Sequence, residues 1–114
     1  MNEIAPGIWH WTAPHPAIRI RVSSYYLIAE RVLIDPIAPE DGLDWFDEHG
    51  APTDVLLTNR HHYRSSAQFV ERFGVDAMKF VNSPLGRQLH LRGINARVVR
   101  AGAVRVGDIA RKRV

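Results

Sequence analysis

The sequence predicts a single α/β domain, and three observations predict it. Stretches of strand character recur at residues 7–11, 17–30, 31–36, 54–59, 77–82 and 95–101. Stretches with helix start and stop signals, at 39–50, 65–73 and 83–93, separate the later ones. A chain of 114 residues, 46% of them hydrophobic, holds one core and one domain at most. The resulting order β-β-β-α-β-α-β-α-β is an α/β arrangement.

Each element has its own signal. The aromatic stretch GIWHW follows a Pro6-Gly7 turn. AIRIRVSSYYLIAE alternates at Ile18, Ile20 and Val22 and then runs apolar from Tyr25 to Ile28, which reads as a strand with one wet face passing into burial. A tight turn at 29–31 leads to RVLIDP, where Pro36 ends the strand because it has no N–H to donate. PEDGLDWFDEHG reads as a helix with acids in its first turn, where the helix dipole favours them, and Gly50 as its stop. DVLLTN is a buried strand. Next, Ser65 with Gln68 matches a capping box, Phe69, Val70 and Phe73 form a core stripe, and Gly74 ends the helix. AMKFVN reads as a strand, SPLGRQLHLRG as a short helix with Pro84 in its first turn, and NARVVRA as a last strand.

Charge is unevenly spread. Residues 1–59 carry three arginines against nine acids, whereas residues 60–114 carry twelve lysines and arginines against three acids. From Arg87 onward eight basic residues face one acid, and no aromatic residue follows Phe80. Such a half suits an anionic partner, a contact with the acidic half, or a segment that does not fold. Nucleic-acid binding is the weakest of these readings, since single strands are gripped by stacking aromatics among the basic residues. Residues 101–114 read as a strand hairpin with a basic tail, or as the place where a longer domain is cut or read out of frame.

Several function classes are excluded at this level. No cysteine is present, which removes disulfides and thiolate metal sites. No apolar run approaches the roughly 20 residues that span a bilayer, and the N-terminus lacks the basic start and apolar core of a signal peptide. The expectation is a soluble cytoplasmic protein with no membrane partner. No glycine-rich phosphate loop occurs, and Ser65-Ser66 lacks the glycine elbow of a serine nucleophile.

The chemistry concentrates in DVLLTNRHHYRSSAQFVERFG, residues 54–74, where a strand runs through a histidine-bearing loop into a helix. Together with IAPGIWHW and SSYYLIAERVLIDP upstream, it resembles the metallo-β-lactamase superfamily over residues 4 to 82. The resemblance implies the N-terminal half of an αββα sandwich, with residues 1–82 as that half and 83–114 as a basic C-terminal segment, truncated or partly disordered. It also implies zinc-dependent hydrolysis by a metal-bound hydroxide. The family motif Thr-His-x-His-x-Asp-His falls on Thr58, Asn59, His61, Tyr63 and Arg64, so His61 alone keeps a metal-ligand identity. Asp35 matches a strand-end aspartate whose task is to bond the loop backbone.

A hydrolytic zinc site needs about three protein ligands and an open position. Arg60 and Arg64 place positive charge where the ion would sit, and His90, the one later histidine, has leucine neighbours. The reading is therefore a hydrolase-like fold with a degenerate metal site, catalytically inactive on its own, with no cofactor expected and zinc only if the family site persists. The main alternative is a small-anion binding module for phosphate or carboxylate. There Arg60, His62, Arg64 and Ser65 gather before a helix N-terminus, which favours anions as arginine forks do. A weak metal-dependent hydrolase and a nucleic-acid binder are the further alternatives. The partners expected are a small anionic ligand and a second copy of the chain, because half a sandwich leaves sheet surface uncovered. His10 and His15 read as rim residues, and His49 as the C-terminal residue of the first helix.

Overall fold

The protein was studied as a computed structural model, which describes residues 1–75, 79–80, 84–88 and 97–111. It is an α/β fold built on one six-stranded mixed sheet, with strands in sequence order across it. β1 (Asn2–Ala5), β2 (Ile8–Pro14), β3 (Arg21–Leu27) and β4 (Val32–Ile34) form an antiparallel meander. β5 (Asp54–Leu57) and β6 (Lys79–Phe80) then add in parallel. Parallel neighbours need a crossover, and α1 (Asp44–His49) and α2 (Ser66–Phe73) lie in those two connections. The short α3 (Pro84–Gln88) follows. No helix among the described residues is long and apolar enough to cross a membrane.

Register decides which residues enter the core, because alternate side chains of a strand leave by opposite faces. Tyr26 lies opposite Leu33, and Leu33 opposite Val55. These residues share the face that Trp11, Ala13 and Leu57 also build. Phe46 of α1 and Phe69 of α2, both fully buried, close over it. Their rings pack edge-on, with Phe46 centred 5.3 Å from both Tyr26 and Phe69 and 5.7 Å from Trp11. Edge-on contact suits the ring quadrupole and adds about 1 kcal/mol per pair beyond area burial. Outside this core, Arg72 of α2 bonds both Asp44 and Asp47 of α1, and these bonds raise its pKa.

The structure departs from the sequence reading at identifiable places. β1 carries no apolar alternation and is exposed at all four positions, so pairing with β2 alone defines it. Ile18 and Ile20 are not strand residues. They sit in the β2–β3 turn, 55% and 58% exposed, and the alternation there marks no sheet face. The first helix begins at Asp44, since the backbone at 39–42 is spent on a turn closed by Gly42 N–H donating to Pro39 O. Val70 is exposed while Phe69 is buried, which narrows the stripe of α2. Residues 97–101 are not a strand, and all of 97–111 is exposed, with a turn at Arg105–Asp108. The predicted strand at 77–82 is described only at Lys79–Phe80, the helix at 83–93 only at Pro84–Gln88, and His90 lies outside the described residues.

Tyr26 supplies a test of this packing. Its hydroxyl donates to Gly50 O at 2.6 Å, tying β3 to the end of α1. Burial pushes the phenol above its ordinary 10.0, and the charge of Arg31 offsets part of that. An acid whose folded pKa is raised holds its proton longer when folded, so its stabilisation is present below the unfolded pKa and lost as pH rises through the folded one. Tyr26→Phe is expected to cost about 1–3 kcal/mol, since it leaves a part-buried carbonyl unpaired. It should also lessen the fall in stability above pH 10.0. Urea melts of both proteins at neutral and alkaline pH check this, and an equally steep alkaline loss in the variant would contradict it.

Candidate functional site

Four residues leaving β4, Asp35 to Ala38, organise one end of the sheet. Asp35 N–H donates to Leu56 O at 3.0 Å. Ile37 N–H donates to Ser24 Oγ at 2.8 Å, and Ala38 N–H donates to Ser65 Oγ at 2.9 Å. Pro36 has no N–H, so every backbone donor of the strap is paired. Three of its carbonyls are used as well. Asp35 O accepts from Ser24 Oγ at 2.7 Å, Pro36 O from Ser65 N–H at 3.0 Å, and Ile37 O from the Trp11 indole at 2.8 Å. The strap thus joins β2, β3, β5 and the start of α2.

The Asp35 side chain reaches into the loop after β5. Only 11% exposed, it accepts from Thr58 N–H through Oδ1 at 2.8 Å and from the Thr58 hydroxyl through Oδ2. Its backbone is left-handed, with φ 47°, a conformation aspartate tolerates better than most residues. His62 Nδ1 lies 3.0 Å from Oδ2. A carboxylate only accepts, so the imidazole must donate through Nδ1–H, which leaves Nε2 as the ring's acceptor. That Nε2 has no protein partner among the described residues.

Arg64 stands at the other side of the same corner. Its backbone is also left-handed, φ 47°, which costs about 1–2 kcal/mol for a residue of this kind. Nη1 holds it there by donating to Ser23 O at 2.6 Å and Asp35 O at 2.7 Å. Burial lowers its pKa and the nearby Asp35 carboxylate partly restores it. A guanidinium remains protonated in proteins all the same. Nε and Nη2, which share one edge of the planar group, make no hydrogen bond among the described residues.

His61, His62 and Arg64 line an open cleft of about 340 Å³, together with His15, Ile18 and Ile20 of the β2–β3 turn and Val22 of β3. Of the residues the sequence gathered into an anion site, His62 and Arg64 therefore border one space. Arg60 and Ser65 do not. Arg60 makes a long 3.4 Å contact with its neighbour His61. Ser65 precedes α2 without capping it, because its hydroxyl serves Ala38 instead. The first turn of α2 is already occupied, with Ser66 N–H on Tyr63 O and Gln68 N–H on Ser65 O. His15, Ile18 and Ile20 were missed as site residues, since a turn some forty positions upstream gives no local sign of facing this loop. His10 bonds Ser23 Oγ at 3.0 Å, and His49 stacks on Trp45 at 4.1 Å; neither lines the cleft.

Among the described residues no three His, Asp or Glu side chains are grouped to hold a metal ion. His62 keeps Nε2 as an acceptor, while Asp35 spends both oxygens on Thr58 and His62, and His15 Nδ1 accepts from Ala17 N–H at 3.1 Å. The Arg64 guanidinium adds a fixed positive charge to the same space.

Asp35 is the testable centre of this arrangement. Asp35→Ala removes the acceptor for two Thr58 donors and is expected to cost roughly 2–4 kcal/mol, the range for losing a charged acceptor at a shielded site. Asp35→Asn keeps the shape and should cost less, while releasing His62 from its fixed tautomer. Long-range proton–nitrogen correlation spectra are expected to show Nδ1–H on His62 in the parent protein and a mixture in Asp35→Asn. A parent ring protonated on Nε2 alone would break this account.

No protein-family model matches the chain, and no curated protein matches it.

Proposed function

We propose that this chain is a metallo-β-lactamase-like module whose loop binds small anions, phosphate or carboxylate, in place of a metal ion. Support for the fold reading lies in the meander, the helical crossovers and the placement of the histidine-bearing loop between a buried strand and a helix. Asp35 bonding Thr58 N–H fits the role that the resemblance assigns to its strand-end position. Support for the anion reading rests on one observation above the others. Arg64 lines the cleft and is anchored by Nη1 alone, in a strained backbone conformation, with its Nε–Nη2 edge unused among the described residues. That edge is the fork that matches two oxygens of a carboxylate or phosphate.

Electrostatics favour the same ligand. Asp35 bonds the cleft residue His62, and its oxygens are already committed to Thr58 and His62. His15, His61, His62 and Arg64 present only neutral or positive groups to the cleft. In this reading the chain is a binding module, with hydrolysis belonging to its fold relatives rather than to this site.

Acetate or phosphate at tenfold its Kd is expected to stabilise the protein by about 1.4 kcal/mol, as any ligand selective for the folded state does. This is a rise of several degrees in the melting temperature of a small domain. Arg64→Lys keeps the charge but loses the fork, and should weaken binding roughly tenfold. Arg60→Ala should leave binding unchanged, and added salt should weaken it because the cleft is open to solvent. Calorimetric titration of the three proteins checks these outcomes. Equal affinity in the parent and Arg64→Lys would remove Arg64 from the role given to it.

A further inference from the structure

The apolar residues that line the cleft have no part in anion binding. Ile18 and Ile20 are the two exposed isoleucines of the β2–β3 turn, and both line the cleft with Val22 beside them. They do not fill the core, since neither belongs to the buried cluster. The turn that carries them is fixed rather than loose. His15 N–H donates to Ile20 O at 2.8 Å, Arg19 N–H donates to His15 O at 3.0 Å, and Ala17 N–H donates to the His15 ring. Arg19 is held in a left-handed conformation, φ 56°, within it. An ordered turn therefore holds an apolar pair at the cleft that Arg64 also lines, and the guanidinium has a free edge.

We infer that the cleft selects amphiphilic anions, in which a carboxylate or phosphate head sits on the Nε–Nη2 edge of Arg64 and a short alkyl or aryl body lies on Ile18, Ile20 and Val22. This rests on the anion reading of the site and adds the ligand's second half. Binding sites are commonly apolar clefts with a few placed polar groups that fix orientation, and this cleft has that division. Its 340 Å³ exceeds what acetate or inorganic phosphate occupies. A head group alone would leave the isoleucines in water, whereas a body of several carbons removes apolar surface on both sides. A cationic amphiphile meets the same apolar residues but is repelled by Arg64, so the sign of the head is decided by the guanidinium.

Calorimetry with acetate, hexanoate, inorganic phosphate and hexylammonium distinguishes this from the simpler anion site. Hexanoate is expected to bind at least tenfold more tightly than acetate, and hexylammonium not measurably. The double variant Ile18→Asn, Ile20→Asn changes two exposed positions and should lower hexanoate affinity to that of acetate, leaving acetate and phosphate as in the parent. Equal affinities for acetate and hexanoate would overturn the amphiphile proposal and leave the anion site standing. A chain-length gain that survives in the double variant would also overturn it, as would hexylammonium binding as well as hexanoate. Failure of every anion to bind the parent protein would remove both readings together.

Discussion

The strap from Asp35 to Ala38 is the constraint on which the rest of this molecule depends. A strand that ends inside a protein must find partners for its last backbone groups or leave them unpaired at a cost. Here the partners are Ser24 of β3, Trp11 of β2, Leu56 of β5 and Ser65 before α2. Meeting that requirement fixes where the meander ends, how the second helix approaches the sheet and where the loop after β5 can run. Pro36 suits the position because it asks for no donor site.

The candidate site is a by-product of the same requirement. Once Asp35 is turned into a left-handed conformation to start the strap, its carboxylate faces the end of the neighbouring parallel strand. Thr58, at that end, takes both oxygens through its N–H and hydroxyl, and His62 is drawn against the second oxygen. Arg64 closes the corner by bonding the carbonyl of Asp35 itself and that of Ser23. A single buried acid therefore orients a histidine through its carboxylate and holds the guanidinium through its backbone carbonyl. Its negative charge holds the loop and is consumed in doing so.

Much of the fold was legible in the sequence because it rests on local signals. The turn at 29–31, the strand at 54–57, the stop at Gly74 with φ 62° and the stop at Gly50 with φ 122° follow from residue type and spacing. The errors share a cause in tertiary choice. Ser65 has the side chain of a cap and the sequence context of one, yet a nearby unpaired N–H at Ala38 won its hydroxyl. Ile18 and Ile20 alternate like strand residues, but β2 and β3 pair only from Pro14 and Arg21 onward, leaving both in the turn. β1 is a strand solely because β2 lies beside it. For the site, His62 and Arg64 were readable from the loop, whereas the apolar lining is set by how far the hairpin reaches.

Arg64 reaches its Ser23 partner across 41 positions of chain, and Asp35 meets Thr58 across 23. The meander needs only short loops to close, between neighbours in sequence. Loop-closure entropy favours the short connections first, and distant pairings gain their stabilisation only after the intervening chain is ordered. The cleft therefore depends on contacts between segments far apart in the chain. Its lining comes from the β2–β3 turn, the start of β3 and the loop after β5, so the cleft exists only where these distant segments are packed together.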